Sequence, residues 1–247
     1  MLGLYRNRLR ALINGLLAPT GVRVVNLKWG PRGFATSFGK LARQGVAPKC
    51  IVDVGAATGE WTRECLSVFP NAEYFMVDPL DENREALEEI SRIHRNVRFW
   101  MGALGAEQRE LTLHVHGDQS SFFPSEYDRA GSLRRVRVET LDSMVNSGLV
   151  TPPDIIKIDA QGFELEVLRG SERALSATEF VLLEVSFRET YGGCPLAHEV
   201  IAAMGTYGFR IYDLCTYSQR PRDLELFQSD ILFARSDSRV FAIEGYA

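Results

Sequence analysis

Residues 49–66 read KCIVDVGAATGEWTRECL, and this stretch decides the fold. The apolar run over residues 50–54 is typical of a buried strand, and a helical pattern begins at Glu60. Between them lies a turn of small residues that ends in Gly59. A strand, a glycine turn and a helix in this order bring backbone close to a ligand, because glycine has no side chain to obstruct it. The stretch therefore predicts a ligand-binding turn at the edge of an α/β sheet.

Apolar runs of strand length alternate with helical stretches along the rest of the chain. The predicted strands are 50–54, 74–77, 97–101, 111–115, 155–158, 180–185, 209–214 and 230–234. The predicted helices are 60–69, 81–94, 163–176 and 195–207. This alternation predicts βαβ crossovers and a mostly parallel sheet. A polar loop without a helix joins the last two strands, so we expect them to form an antiparallel hairpin.

The composition is that of a soluble globular protein. The 247 residues suffice for one large domain, with or without an added arm, and 45% of them are hydrophobic. No apolar run approaches the roughly 20 residues that a membrane helix needs. The four cysteines lie far apart with no C-x-x-C pair, which argues against a zinc site or a disulfide framework. We therefore expect free thiols and a cytoplasmic location.

The charge is distributed unevenly along the chain. Residues 1–49 hold nine Lys or Arg and no Asp or Glu, whereas the remainder carries a net charge of −13. Apolar residues at helical spacing predict an amphipathic helix near the start: Tyr5, Leu9, Leu12, Ile13 and Leu16. Such a helix either caps the main domain or makes a peripheral contact with a membrane surface. We accordingly predict a basic helical arm over residues 1–45 and a main domain over 46–240.

The glycine spacing indicates which cofactor the turn binds. The glycines fall as G-x-x-x-G rather than the G-x-G-x-x-G that cradles a pyrophosphate. This favours S-adenosylmethionine, which needs no phosphate cradle, over a dinucleotide. Asp53 can hold the methionine ammonium directly or through water, and Asp78, at the end of the second strand, can accept from the ribose hydroxyls. The predicted cofactor-binding residues are Asp53, Gly55, Ala56, Gly59, Thr62, Asp78, Gly102 and Ala103.

A second motif occupies residues 153–170, PDIIKIDAQGFELEVLRG, where a strand ends in Asp159 and a glycine turn opens a helix. Together the two motifs resemble those of the FkbM family of methyltransferases, D-V-G-A-N-x-G and I-K-I-D-x-[EQ]-G-x-E-x-x-V-L-x-G. The resemblance extends over about residues 45–235. One departure is Ala57, where the family often has Asn.

The resemblance implies both a fold and an activity. The implied fold is α/β, the Rossmann-like class I methyltransferase fold, with a seven-stranded mostly parallel sheet, an antiparallel last strand and helices on both faces. The implied activity is methyl transfer from S-adenosylmethionine to a hydroxyl of a sugar, glycolipid or related natural product. Two alternatives remain open, namely N- or carboxyl-methylation of another small metabolite and a non-catalytic binding module. We expect a small-molecule or lipid-linked sugar as acceptor, and no nucleic-acid partner.

Three residues are predicted to be catalytic. Because an alcohol is a poor nucleophile, a general base or a metal is expected. Asp159 ends the central strand, and Glu184 ends the neighbouring strand. The two carboxylates can act as base and orienting group, or they can hold Mg²⁺. His116 is a second candidate base, since imidazole titrates near neutrality. The structural alternatives are a helix cap for Asp159 and a half-exposed strand position for His116.

Two further charged features have more than one interpretation. Residues 129–137, RAGSLRRVR, either bind a phosphorylated acceptor or form a solvated charged edge. Lys157 alternates with two isoleucines in the second motif, so its side chain shares a face with Asp159 and an ion pair is expected.

Overall fold

The computed structural model of the protein describes residues 33–124 and 132–242. The predicted amphipathic helix near the start of the chain lies outside the described residues. The strands are β1 (Cys50–Val54), β2 (Glu73–Asp78), β3 (Val97–Met101), β4 (Ala103–Leu104), β5 (Arg109–His114), β6 (Leu133–Glu139), β7 (Ile155–Ile158), β8 (Phe180–Ser186), β9 (Phe209–Leu214), β10 (Ser218–Gln219) and β11 (Leu226–Arg235). The α-helices are α1 (Phe34–Arg43), α2 (Glu60–Val68), α3 (Arg84–Ile93), α4 (Leu141–Asn146), α5 (Glu164–Arg169), α6 (Glu172–Ala177) and α7 (Ala197–Thr206).

The main sheet has the strand order β3-β2-β1-β7-β8-β11, and both β9 and β10 pair with β11. Strands β3, β2, β1, β7 and β8 are parallel to one another. Strand β11 runs antiparallel to β8 and to β9, so the hairpin predicted for the last two strands is confirmed. Apart from the two-residue β10, the sheet has the seven strands of the Rossmann-like class I methyltransferase fold.

Both faces of the main sheet are covered by helices. Alternate residues of a strand point to opposite faces, so Ile51 and Val52 of β1 enter different apolar clusters. The cluster around Ile51 includes Trp61 of α2 and Leu87 of α3, whereas the cluster around Val52 includes Val167 of α5. Strands β1 and β7 are buried along their whole length, which explains their nearly continuous apolar sequences.

Helix α1 packs on the same layer as α2. Phe38 and Leu41 are fully buried, and the ring of Phe38 meets Trp61 edge-on at 5.8 Å between centroids. Residues 33–45 therefore contribute to the core of the described domain, although they were predicted to belong to the arm. None of the helices in the described residues is long and apolar enough to cross a membrane. All four cysteines are buried and free.

A small second sheet, with the order β4-β6-β5, lies beside the main one. Its central strand β6 was not predicted, although arginines alternate with the buried Val136 and Val138 in the pattern of a half-buried strand. The helix predicted over residues 163–176 is likewise divided, into α5 and α6. Gly170 lies at the break, and a Cβ atom there would overlap the carbonyl oxygen of Gly105.

Candidate active site

A cleft opens at the carboxyl ends of the parallel strands, where ligands bind in α/β sheets of this kind. It holds about 700 Å³ of space that protein atoms do not fill. The turns after β1, β2, β3 and β7 form its floor, and the connection from β5 to β6 contributes a wall through Asp118, Ser120 and Phe122. Phe122 packs on Phe163 at 4.7 Å between ring centroids, which closes this side of the cleft with apolar surface.

The structure brings four of the predicted cofactor residues to the cleft. Their side chains or backbone line it from three different turns: Gly55, Asp78, Gly102 and Ala103. The other four are buried and do not line it: Asp53, Ala56, Gly59 and Thr62. For all eight residues, contact with the cofactor stays a prediction.

Asp53 is fully buried beneath the glycine turn. Its Oδ2 accepts a hydrogen bond from the Thr62 hydroxyl at 2.7 Å. Its Oδ1 lies 3.2 Å from Nζ of Lys157, which is also buried. With these partners the Asp53 carboxylate supports the turn from below. Both cofactor contacts expected from the sequence for Asp53, the direct one and the water-mediated one, stay predictions.

The glycine turn depends on backbone conformations that most residues avoid. Gly55 has φ +73°, and a Cβ atom on it would overlap the carbonyl oxygen of Asp159. Ala57 also lies in the left-handed region, with φ +47°, although it has a side chain. Asn is enriched in that region, which gives a physical reason for the residue that the resembling family often has here.

Asp78 presents a buried carboxylate to the cleft, with 4% of the residue exposed. It accepts hydrogen bonds from the backbone N–H groups of Ala57 at 2.8 Å and Leu80 at 2.9 Å, and from Nδ2 of Asn83 at 2.9 Å. Burial raises the pKa of Asp78, and the hydrogen bonds from Asn83, Leu80 and Ala57 oppose this effect. A carboxylate has about four acceptor sites, so one stays available to a ligand hydroxyl.

Asp159 and Glu184 meet through a third residue. Asp159 lines the cleft, and its Oδ1 accepts from Nε2 of Gln161 at 2.8 Å. The same Nε2 donates to Oε2 of Glu184 at 3.0 Å. The neighbouring strand assignment made from the sequence is therefore correct, but an amide separates the two carboxyl groups.

Burial and neighbouring charges shift the pKa values of Glu184 and Lys157, which both lie close to Asp159. Burial, together with the nearby carboxylates of Asp159 and Asp230, raises the pKa of Glu184 to about 9. For Lys157, burial lowers the pKa, but the carboxylates of Asp53 and Asp159 more than reverse this and keep it above its ordinary value. At neutral pH the cluster therefore contains a charged Lys157 and a protonated Glu184.

The magnesium site predicted at Asp159 and Glu184 has little support from the side chains around it. Within residues 33–124 and 132–242, no group of three or more His, Cys, Asp or Glu side chains is arranged to hold a metal ion. The third neighbour of the two carboxyl groups is the Gln161 amide, whose nitrogen faces both of them as a donor.

His116 lies in the connection between β5 and β6, next to the wall of the cleft. Its backbone N–H donates to Oγ of Ser120 at 2.8 Å. The flanking Gly117 and Asp118 line the cleft, whereas His116 does not. Its role as a base stays a prediction.

The basic cluster of residues 129–137 falls partly outside the described residues. Its described arginines form surface ion pairs with glutamates, Arg134 with Glu82 and Arg135 with Glu110. These ion pairs are consistent with the interpretation of residues 129–137 as a solvated charged edge.

Two residues near Asp159 were not singled out from the sequence. Gln161 stands in the second motif, at the position where the resembling family has Glu or Gln, and that restriction was the available signal. Tyr191 lies in a loop without periodicity, and its hydroxyl reaches Oε1 of Gln161 at 2.9 Å. Nothing in the local sequence indicates such a contact, because the two residues lie 30 positions apart.

Comparison with known proteins identifies the family. The chain matches the Methyltransferase FkbM domain over residues 53–211. It is 27% identical over 208 residues to the 2-O-methyltransferase NoeI of Sinorhizobium fredii, which covers 74% of this chain and 84% of that protein. A shorter stretch of 44 residues is 46% identical to the hexuronic acid methyltransferase AglP of Haloferax volcanii and covers 18% of each chain.

One of the solved structures that align with the chain is the magnesium protoporphyrin IX methyltransferase ChlM of Synechocystis. It aligns with a TM-score of 0.47 at 12% identity, over 81% of this chain and 77% of that one. The strand order, the two motifs and a family match that spans more than half of the chain lead to one assignment. The chain belongs to the FkbM family and is a methyltransferase.

Proposed function

We propose that the protein transfers a methyl group from S-adenosylmethionine to a hydroxyl of a sugar. The observation that carries the proposal is the charge of the cleft. Its described lining contains three aspartates, Asp78, Asp118 and Asp159, and no Lys, Arg or His. S-adenosylmethionine has a sulfonium and an ammonium against one carboxylate, so its net positive charge suits this lining. A dinucleotide would bring its phosphates to carboxylates without a basic side chain to neutralise them.

The residues of the cleft also fit the parts of this cofactor. The acceptor site that remains on Asp78 suits a ribose hydroxyl. The backbone around Gly102 and Ala103, with the apolar side chain of Leu104, suits a flat base. The turn at Gly55 and Ala57 lies between Asp78 and Asp159, where the methionine portion would extend.

The chemistry requires alignment and the removal of one proton. S-adenosylmethionine supplies an electrophilic methyl group and leaves as S-adenosylhomocysteine. Asp159 accepts a hydrogen bond from the acceptor hydroxyl and takes its proton as the new carbon–oxygen bond forms. The Lys157 ammonium, 3.6 Å from Oδ2 of Asp159, holds that carboxylate at the end of β7. Phe122 and Phe163 restrict water at the apolar wall, and much of the acceleration would come from positioning.

The similarity to NoeI and AglP supports a sugar acceptor, because their names describe a 2-O-methyltransferase and a hexuronic acid methyltransferase. The sugar can be free or lipid-linked. A contact of the basic arm with a membrane would favour a lipid-linked sugar. If the arm docks on a membrane, deletion of residues 1–17 should weaken binding to vesicles that contain anionic lipid. Unchanged vesicle binding would contradict the peripheral contact and leave the arm as a cap on the main domain.

Calorimetric titration with S-adenosylhomocysteine and, separately, with NAD tests the cofactor. We expect heat of binding with the first and none with the second, and no affinity for S-adenosylhomocysteine would contradict the proposal. A methyl-transfer assay on neutral sugars, amino sugars and uronic acids then tests the acceptor. Methylation of an amine or a carboxylate, with no product on any hydroxyl, would favour the N- or carboxyl-methyltransferase alternative.

A further inference from the structure

Gln161 occupies a backbone conformation that is rare for a residue with a side chain. It lies between β7 and α5 with φ +48°, and only 8% of its surface is exposed. Residues in such conformations persist where the surroundings over-determine them, and they concentrate at functional sites. Glycine would adopt this backbone at lower cost, so the amide side chain itself calls for an explanation.

The amide of Gln161 has all of its polar atoms engaged. Nε2 donates to Oδ1 of Asp159 at 2.8 Å and to Oε2 of Glu184 at 3.0 Å. Oε1 accepts from the hydroxyl of Tyr191 at 2.9 Å. The opposite orientation of the amide would turn its oxygen towards two carboxyl groups and its nitrogen towards Tyr191. The Asp159 carboxylate, which only accepts, therefore selects this orientation, and the Tyr191 hydroxyl can donate to Oε1 in it.

Gln161 also receives contacts from two loops near the cleft. The Ser121 hydroxyl, in the connection from β5 to β6, donates to the backbone carbonyl of Gln161 at 2.6 Å. Tyr191 belongs to the segment between β8 and α7, and its hydroxyl also lies 3.0 Å from the carbonyl of Gln119. The two loops and the end of β7 thus converge on one residue.

From this convergence we infer that Gln161 is a positioning residue that orients the Asp159 carboxylate for proton removal, with its own amide held in place by the hydroxyl of Tyr191. The inference rests on the proposed function, because it assigns Asp159 as the base. Gln161 holds one oxygen of Asp159 and keeps Glu184 at a fixed distance from it. The acceptor hydroxyl then meets a carboxylate of defined direction, which is what positioning contributes to a rate.

Two nearly isosteric substitutions test this inference, Gln161→Met and Tyr191→Phe. Gln161→Met removes both amide donors, and we expect kcat to fall about 10- to 100-fold while the Kd of S-adenosylhomocysteine stays within about twofold. Tyr191→Phe removes one hydroxyl that does not touch Asp159, and we expect kcat to fall about 3- to 10-fold. Because Tyr191 acts through Gln161, adding Tyr191→Phe to Gln161→Met should cause no further loss.

Tyr212→Phe is the matched control, since the Tyr212 hydroxyl also bonds a glutamine, Gln44 at 3.1 Å, away from the cleft. Its kcat should equal that of the wild type. Unchanged kcat in Gln161→Met would overturn the inference. Additive losses in the double variant would equally overturn the part assigned to Tyr191.

A readout without turnover separates this inference from the proposed function. In protein labelled with ¹³C at the aspartate carboxyl carbons, the Asp159 resonance is the one that Asp159→Asn removes. We expect it to shift in Gln161→Met and in Tyr191→Phe, and to stay in place in Tyr212→Phe. An unshifted resonance in Tyr191→Phe would overturn the inference. If the wild-type protein transfers no methyl group to any sugar, but the Asp159 resonance shifts as expected in the variants, only the proposed function is contradicted.

Discussion

Nζ of Lys157 lies 3.2 Å from Oδ1 of Asp53, and both side chains are almost entirely buried. The two residues belong to the two separate motifs of the chain and face each other in the register of β1 and β7. Lys157 also donates to the carbonyl of Gly55 at 2.7 Å and lies 3.6 Å from Asp159. One cation thus joins the turn below the cleft to the predicted catalytic carboxylate.

Replacing this cation should destabilise the protein. Lys157→Met would leave Asp53 buried with the Thr62 hydroxyl as its remaining hydrogen-bond donor. Removing one partner of a buried ion pair costs about 3–5 kcal/mol, because the other charge remains without compensation. We expect a loss of this size in the free energy of unfolding, measured by urea denaturation.

The double variant Asp53→Asn with Lys157→Met is the control for this prediction. It removes both charges, so its loss should be smaller than that of Lys157→Met alone. The single variant Asp53→Asn completes the comparison. If the loss of stability in the double variant equalled the sum of the losses in the two single variants, the pair would not interact as the structure indicates.

Ala57→Gly should stabilise the protein. Ala57 has φ +47°, where a side chain costs roughly 1–2 kcal/mol, while glycine loses part of that gain through its more flexible unfolded state. We expect a net gain of about 0.5–1 kcal/mol, measured as a rise in the free energy of unfolding. Ala56→Gly is the matched control, because Ala56 is buried and lies outside the left-handed region, so the same change there should destabilise. Equal effects at both positions would contradict the argument.

Much of the fold could be predicted because its signals are local. Strands β1 and β7 are buried on both faces, so their sequences are apolar except for Asp53 and Lys157, and the loop between β9 and β11 lacks a helix. Strand β6 was missed although its arginines alternate with buried valines, because its apolar residues do not form a continuous run. Strand β6 pairs with β4 and β5, and its local sequence does not show which strands it pairs with.

In the candidate site, too, local features were predicted and contacts between distant residues were not. Asp78 and Asp159 end strands, and the ends of parallel strands meet at one edge, so their positions followed from the sequence. The ion pair of Asp53 with Lys157 followed only from the pairing of β1 with β7, which places the two residues opposite each other. The contact of Tyr191 with Gln161 joins two loops and depends on how the whole edge of the sheet is packed.

Asp159→Asn should separate cofactor binding from turnover. The substitution keeps the shape of the side chain but removes its capacity to accept a proton. We expect kcat to fall by about two to four orders of magnitude, as for loss of a general base, with S-adenosylhomocysteine binding nearly unchanged. Asp118→Asn changes another aspartate of the cleft and should have a much smaller effect on kcat. Near-normal turnover in Asp159→Asn would reassign Asp159 to a structural role.

Asp78→Asn should weaken the cofactor site. Three donors, from Ala57, Leu80 and Asn83, converge on this carboxylate, and an amide would turn one donor against them. We expect the Kd of S-adenosylhomocysteine to rise about tenfold or more, since a hydrogen bond to a charged group contributes roughly 1.5–3 kcal/mol. Calorimetric titration measures this change, with Asp81→Asn as the control at an exposed position. An unchanged Kd in Asp78→Asn would remove Asp78 from the cofactor site.

Glu184→Gln should make the stability of the protein less sensitive to pH. Burial raises the pKa of Glu184 from 4.5 to about 9, so between these values the folded protein keeps a proton that the unfolded chain releases. The free energy of unfolding therefore falls as the pH rises through this window. Glutamine carries no titrating proton, and its oxygen can still accept from Gln161 and Gln228, which both donate to Glu184. Urea denaturation at pH 5 and pH 8 should accordingly show a smaller fall for Glu184→Gln than for the wild type or for the exposed variant Glu172→Gln. An equal fall in all three would mean that Glu184 is ionised in the folded protein.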